Sequence, residues 1–440
     1  MKKLKLLCLL TLAAALSFGG FLMLRDLSAP LVTLAPADGA LSVKRPLTVT
    51  VADLGVGVRS LQVTIVQGGR SIPLLNRDYP HGTGNVVETL TLTGKQLQEG
   101  PVDVHVAVVD HARIRFGRGN HAETTASFVI DSQPPQITVL TAQHNVNQGG
   151  AAVVVYTLSE EPVRTGIKVG ERLFPAYRQA SGAYVGFFAY PWNMPASAFV
   201  PKVYAVDAAG NERNIGFYYN VTPRTFPADR INITPQFLDA KIVPEFQRFF
   251  PEFSEPLELF LKVNRDLRKE NLAKVLEIGQ QSATAPLWSG VFLRQPNAAV
   301  PGQFAQPRIY LHNGVVIDHQ THLGIDLAST ARAPVPAANA GQVVFAGDLG
   351  IYGNCVILDH GLGLQTLYGH LSQIDVTVGA AVTRGQVLGR TGTSGLAGGD
   401  HLHFDVLVSG VQVNPIEWWD PNWIRNNVTG KLAQAGLTQL

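Results

Sequence analysis

Apolar and polar residues alternate through most of the first half of the chain. The segments PLTVTVAD (46–53), SLQVTIVQ (60–67), VVETLTLTG (86–94) and VDVHVAVVD (102–110) each gather their apolar residues on one face of an extended strand, because strand side chains point to opposite faces in turn. Gly, Pro and Asn separate these segments. Short strands at this spacing predict a β-sandwich over 30–131. A second unit opens at Asp131 with DSQPPQITVL and continues through AAVVVYTLSEEP and KVYAVDAAGNERN, which predicts another sandwich over 132–224. The two units end alike, VHVAVVDHARIRFGRGN beside KVYAVDAAGNERNIGFYYNV, so one module stands twice.

Over 226–286 the period changes from two to that of a helix. Thr234-Pro235-Gln236 supplies an N-cap with Pro at the first helical position, and EPLELFLKVNRDLRKENLAKVLEIGQQ spaces its apolar residues helically. This predicts a helical connector, broken in its first part by Pro244 and Pro251, that packs on the domain after it. Residues 287–425 return to β patterning with Gly and Pro every few positions, and 426–440 form a tail. Both sandwich units resemble bacterial immunoglobulin-like domains, in which D-x-x-G-N makes the turn before the last strand.

The first 25 residues follow another pattern. Lys2, Lys3 and Lys5 precede an uncharged run from Leu6 to Leu24, about the 20 residues a helix needs to span a bilayer. Signal peptides share the basic start, but their apolar core is shorter and ends at a small-x-small site. The expectation is a retained anchor in the cytoplasmic membrane with the bulk of the chain outside it, or secretion if the segment is cleaved.

Composition narrows the chemistry. At 440 residues, 46% hydrophobic and 15% charged, the chain is too long for one domain and too apolar for disorder. A net charge of +2 gives no reason to expect a nucleic-acid partner. Only two cysteines occur, Cys8 and Cys355, so any zinc site must be built from histidine and carboxylate.

Two histidine motifs meet that requirement. His401-Leu402-His403 puts both imidazoles on one face of a strand, and His322-x-x-x-Asp326 shares a face on a strand or a helix. Three nitrogen or carboxylate ligands with an open fourth position describe a catalytic zinc site. Other readings of these motifs fail. A cupin needs a Glu a few residues after its H-x-H, where this chain has FDVLVSGVQV. The helical H-E-x-x-H is absent. The run VTVGAAVTRGQVLGRTGTSG resembles the barrel-sandwich motif of lipoyl and biotinyl carriers, yet 301–430 contains no lysine to acylate.

Taken together and in order, THLGIDLAS, ILDHGLGLQTLYGHLS, GQVLGRTGTSG and GGDHLHFDVLVSGVQVNP resemble the LytM/lysostaphin-type murein endopeptidases. The resemblance covers about 287–425. The resemblance implies a C-terminal antiparallel β peptidase domain of barrel-sandwich type with a duplicated hybrid-like motif, which with the two Ig-like sandwiches and the short helical connector makes the chain mainly β. It further implies one Zn2+ per chain on His322, Asp326 and His403, with His370 and His401 flanking the reacting water and the scissile carbonyl. The usual small-G-P-H-L-H approach is AGGDHLH here, which keeps the ligands but reshapes one wall of the groove. The expected substrate is the peptide cross-link of peptidoglycan, with a D-Ala–diaminopimelate bond ahead of a glycyl bridge. Members of the family that have lost their ligands act only as activators. A non-catalytic regulator of other cell-wall hydrolases is therefore the competing reading.

Overall fold

The alternation that marks the strands also builds the first core. In the computed structural model, which describes residues 2–24, 26–94 and 97–437, the strand Gly100–Asp110 buries Val102, Val104, Val106 and Val108 and turns Asp103 and His105 outward. Its sheet has five strands in the order Gly39–Leu41, His121–Ile130, Gly100–Asp110, Val58–Gln67, Arg70–Asp78. A second sheet of Leu31–Ala35, Leu47–Ala52 and Asn85–Leu90 contributes Leu47, Val49 and Val51 to the same core. The fold is mainly β throughout, as the alternation predicts.

The chain divides into two compact units. One is Met1–Pro135 with Glu160–Val163 and Val206–Arg213, the other Gln136–Ser159, Arg164–Ala205 and Asn214–Leu440. The same Asp–Asn hydrogen-bond pattern occurs at two places, across ten residues in one and four in the other. Asp110 accepts from the Asn120 backbone N–H (2.7 Å) and side-chain amide (2.7 Å), and Asp207 does the same for Asn211 (2.9 and 3.0 Å).

The N-terminal segment forms helix α1 (Lys2–Leu24). The expected membrane-spanning anchor is not supported. Among the described residues no helix is long and apolar enough to cross a membrane. The side chains of Lys2, Lys3 and Lys5, on which the expected orientation rested, lie outside the described residues.

In the second unit, a sheet ordered Tyr177–Arg178, Tyr184–Ala189, Ala151–Leu158, Ile137–Val139 shares one continuous core with the C-terminal part. Trp418, fully buried, joins them: its ring lies 6.0 Å from Phe187, 5.4 Å from Phe292 and 5.9 Å from Trp288. Burying a side chain of this size removes enough apolar surface to contribute roughly 4–6 kcal/mol before entropy. Glu417 beside it accepts from Asn147 Nδ2 (2.7 Å) and the Ala151 N–H (3.1 Å).

The connector contains α2 (Pro256–Lys262) and α3 (Arg268–Ile278), joined by one widened turn. Leu259, Phe260, Val263, Leu267 and Val275 form its buried stripe, which packs on Tyr310, Ile351, Ile357 and Leu367. Further along come β1 (Gln306–His312), β2 (Val315–His322), β3 (Ile325–Ala328), β4 (Gly341–Asp348), β5 (Asn354–Gly361), β6 (Leu364–Leu371) and β7 (Leu402–Val408). Strand β7 lies between β3 and β6 in one antiparallel sheet that continues through β5 to β4, and β1 pairs with β2 beside it.

Candidate metal centre

Strand register assembles the site. His403 on β7 faces Asp326 on β3 and Gly369 on β6, and Gln306 on β1 faces His322 at the end of β2. Residues far apart in sequence thereby become neighbours. His322 Nε2 lies 2.9 Å from Asp326 Oδ1 and 3.0 Å from His403 Nδ1, and His403 Nδ1 lies 3.1 Å from Asp326 Oδ1. His401 Nε2 reaches the same carboxylate oxygen at 3.3 Å. The His370 ring is 4.8 Å from that of His401 and 5.7 Å from that of His403. All five residues singled out by the sequence are therefore together, and His322, Asp326, His370 and His403 are buried.

The outward hydrogen bonds assign the tautomers. A carbonyl or carboxylate oxygen only accepts, so the ring nitrogen facing it carries the proton. His322 Nδ1 donates to the Gln303 carbonyl (2.9 Å), His370 Nδ1 to Ser394 (2.8 Å) and His401 Nδ1 to Gly399 (2.8 Å). His403 is turned the other way, with Nε2 2.9 Å from Asp405 Oδ1 in an ion-pair contact. Each neutral imidazole is left with one bare nitrogen, and three of these bare nitrogens converge on an ionised Asp326. Arg308 Nη2 holds the other Asp326 oxygen at 2.8 Å.

Three or four acceptors about 3 Å apart repel one another unless a cation joins them. The protonation of the site shows the same demand. Burial favours neutral imidazole, yet the Asp405 and Asp326 carboxylates overcome it and push His403 up to about 9. Asp326 is held well below the usual carboxylate range, burial notwithstanding, by the surrounding histidines. Burial keeps His322 below its ordinary value, and burial together with His401 and His403 holds His370 well below its own.

The ligand atoms of His322, Asp326 and His403 all lie within 4.8 Å of one another. Zinc bonds of about 2.0–2.2 Å in a tetrahedron give ligand separations of about 3.3 Å. The nitrogen and oxygen donors, their tautomers and their spacing fit zinc.

Asp405 is the residue that sequence reasoning missed. It is fully buried, and apart from the His403 contact its carboxylate has no hydrogen-bond partner among the described residues. The signal was present, since His401, His403 and Asp405 continue the period of two along one strand face. Gly324 makes room for the pair: a methyl group there would overlap Asp405 Oδ1. His370 adopts φ +63°, a left-handed conformation that costs a non-glycine residue on the order of 1–3 kcal/mol and collects at functional sites. His360, by contrast, spends both ring nitrogens on Ala340 O (2.7 Å) and Thr366 Oγ1 (2.8 Å), and burial lowers it to about 4. That is a structural histidine.

A cleft of about 450 Å³ opens on the centre. Tyr352, whose ring lies 5.3 Å from that of His403, forms part of its wall, and the connector adds Phe237, Phe260, Arg268 and Leu272.

Residues 320–415 match Peptidase family M23. DD-carboxypeptidase/endopeptidase Mpg of Neisseria meningitidis serogroup B is 36% identical over 114 residues, 26% of each chain. Peptidoglycan DD-endopeptidase ShyA of Vibrio cholerae serotype O1 is 38% identical over 96 residues, 22% of each chain. Among solved structures, the catalytic domain of the antimicrobial peptidase lysostaphin from Staphylococcus simulans is 30% identical, with a TM-score of 0.24, covering 27% of this chain and 90% of that one. The chain spans about a quarter of the length of the curated relatives it matches.

Proposed function

We propose, from the premise that residues 320–415 are a Peptidase family M23 domain, that this chain is a zinc-dependent endopeptidase acting on the peptide cross-links of peptidoglycan in the cell envelope. One observation carries the reading. Bare nitrogens of His322 and His403 and the ionised Asp326 converge at 2.9–3.1 Å with their outer atoms already engaged, an arrangement of acceptors that a divalent cation completes.

His322, Asp326 and His403 would hold the zinc. When bound, zinc supplies Lewis acidity to an amide carbonyl and acidity to water. The chain's own residues then manage the protons. Hydrolysis adds water across the amide: its oxygen bonds to the carbonyl carbon, the C–N bond breaks, and one proton must reach the departing amine. With no glutamate base in the motif, the bare Nε2 of His401 or His370 takes that proton and returns it. Burial keeps His370 neutral at pH 7 and so able to accept. The strained backbone and the Ser394 bond fix its ring, which lowers the cost of reorganisation during the reaction.

The bond cut is assigned as D-Ala–diaminopimelate. The names of the Neisseria relative, a DD-carboxypeptidase/endopeptidase, and of the Vibrio relative, a peptidoglycan DD-endopeptidase, support it. Purified sacculi incubated with the full chain and analysed by mass spectrometry should lose cross-linked dimers and gain monomers on intact glycan strands. Released sugars, or stems severed from N-acetylmuramic acid, would overturn the assignment, and unchanged sacculi would favour a non-catalytic regulator.

A further inference from the structure

We infer that the cleft beside the metal centre contains a carboxylate-binding subsite, anchored by Arg268 of α3, that selects peptides with a free carboxylate next to the bond cut. The inference rests on the peptidase reading above.

The cleft has two guanidinium groups in otherwise largely apolar walls, and they differ in what they already hold. Arg308 is committed to Asp326. Arg268 has no carboxylate partner among the described residues. Its Nε donates to the Asn264 carbonyl (3.1 Å) and its Nη2 to Asn264 Oδ1 (2.7 Å), both on the preceding turn of the same helical segment. Asn264 is fully buried and is itself fixed, its Nδ2 donating to Asp318 Oδ2 at 2.7 Å. The guanidinium is thus held in one orientation by neutral acceptors, and among the described residues its Nη1 has no partner. Phe237, Phe260, Leu272 and Leu396 line the cleft around it. A fixed cation in apolar surroundings with spare donors is a carboxylate receptor, because guanidinium matches the carboxylate fork and low polarity strengthens the pair. Tyr352 lines the same cleft and its ring lies tilted 5.3 Å from that of His403, so the subsite adjoins the reaction centre.

The chemistry of the cross-link supplies the ligand. In a D-Ala–diaminopimelate bond the amide nitrogen sits on a carbon that carries a free carboxylate. A terminal D-Ala–D-Ala amide has the same arrangement, so the subsite also implies removal of the last D-Ala from uncross-linked stems. A bond inside a glycyl bridge has no carboxylate at that carbon. The connector, through Arg268, therefore acts as a specificity element of the peptidase.

The test compares two purified muropeptide dimers, one with the carboxylate beside the cut amide free and one with it amidated, on the wild-type chain, R268Q and R268K. Amidation should raise KM about 10- to 100-fold for the wild type with little change in kcat, the worth of a charged hydrogen bond. R268Q should raise KM for the free acid to that level and leave the amidated dimer unchanged. R268K, with charge but no fork, should fall between. Equal KM for the two dimers in the wild type, or an equal loss on both in R268Q, would overturn the subsite. Should the wild type cleave neither dimer, equilibrium binding of the free and amidated product monomers decides. Discrimination that R268Q abolishes would keep the subsite while the hydrolase reading fell, and equal binding would sink the subsite itself.

Discussion

Asp405→Asn isolates what the buried carboxylate does for the metal centre. The substitution keeps the shape and leaves one oxygen beside His403 Nε2, whose partner now lies at 2.9 Å; it removes the charge and puts an NH2 in place of the other oxygen. Second-layer carboxylates of this kind are typically worth 10- to 100-fold in metal affinity, about 1.4–2.7 kcal/mol. Full burial of Asp405 and the absence of any other hydrogen-bond partner for its oxygens place it at the upper end, because nothing else screens it. Zinc affinity measured by competition with a coloured chelator at pH 7.5 should therefore weaken by close to 100-fold.

The metal-free chain offers an independent readout. His403 is raised to about 9 in the folded state by Asp405 and Asp326 against the opposing effect of burial, above the ordinary 6.5 expected when unfolded. A raised pKa contributes stability that is fully present below pH 6.5 and is lost as pH rises to about 9, on the order of 3 kcal/mol. Asp405→Asn should shrink that loss, read as the difference in urea stability between variant and wild type at pH 6 and pH 9. An unchanged zinc affinity in the variant would refute the role given to Asp405.

Other expectations follow from the same geometry. His403→Ala should hold no stoichiometric zinc by elemental analysis and should show no hydrolysis; a full equivalent of zinc in that variant would remove His403 from the ligand set. His401→Ala and His370→Ala should keep zinc but lose at least ~10²-fold in turnover, and near-normal turnover in either would take that residue out of the mechanism. Gly324→Ala forces a methyl into Asp405 Oδ1, so it should lower the thermal midpoint and weaken zinc binding together, whereas a variant with both unchanged would show that the strands can part at no cost.

Much of the site could be read from the sequence because strands obey a strict period. H-x-H states that two imidazoles share a face, and the same period carried two residues further reaches Asp405. Arg308 and Gln303 could not be found this way. They meet Asp326 and His322 through the pairing of β1 with β2 and the turn before β1, and register is a tertiary fact. The connector's helical spacing predicted that it would pack on the next domain, as its stripe does. That it also walls the cleft depends on which turn faces the centre. Length and lack of charge in the N-terminal run predict an anchor, and among the described residues no helix is long and apolar enough to cross a membrane. Trp418 illustrates a further limit: its neighbours Phe187 and Phe292 lie on elements that no local pattern links to it.

Metal titration of turnover tests the central claim most directly. The full chain is stripped with a chelator and dialysed, zinc is returned in sub-stoichiometric steps, and monomer release from sacculi is measured at each step. Release should rise in proportion to zinc, reach its plateau at one ion per chain, and stay absent throughout for His403→Ala. Cleavage by the stripped chain, or a plateau reached equally by His403→Ala, would contradict a single zinc on His322, Asp326 and His403 as the source of the activity.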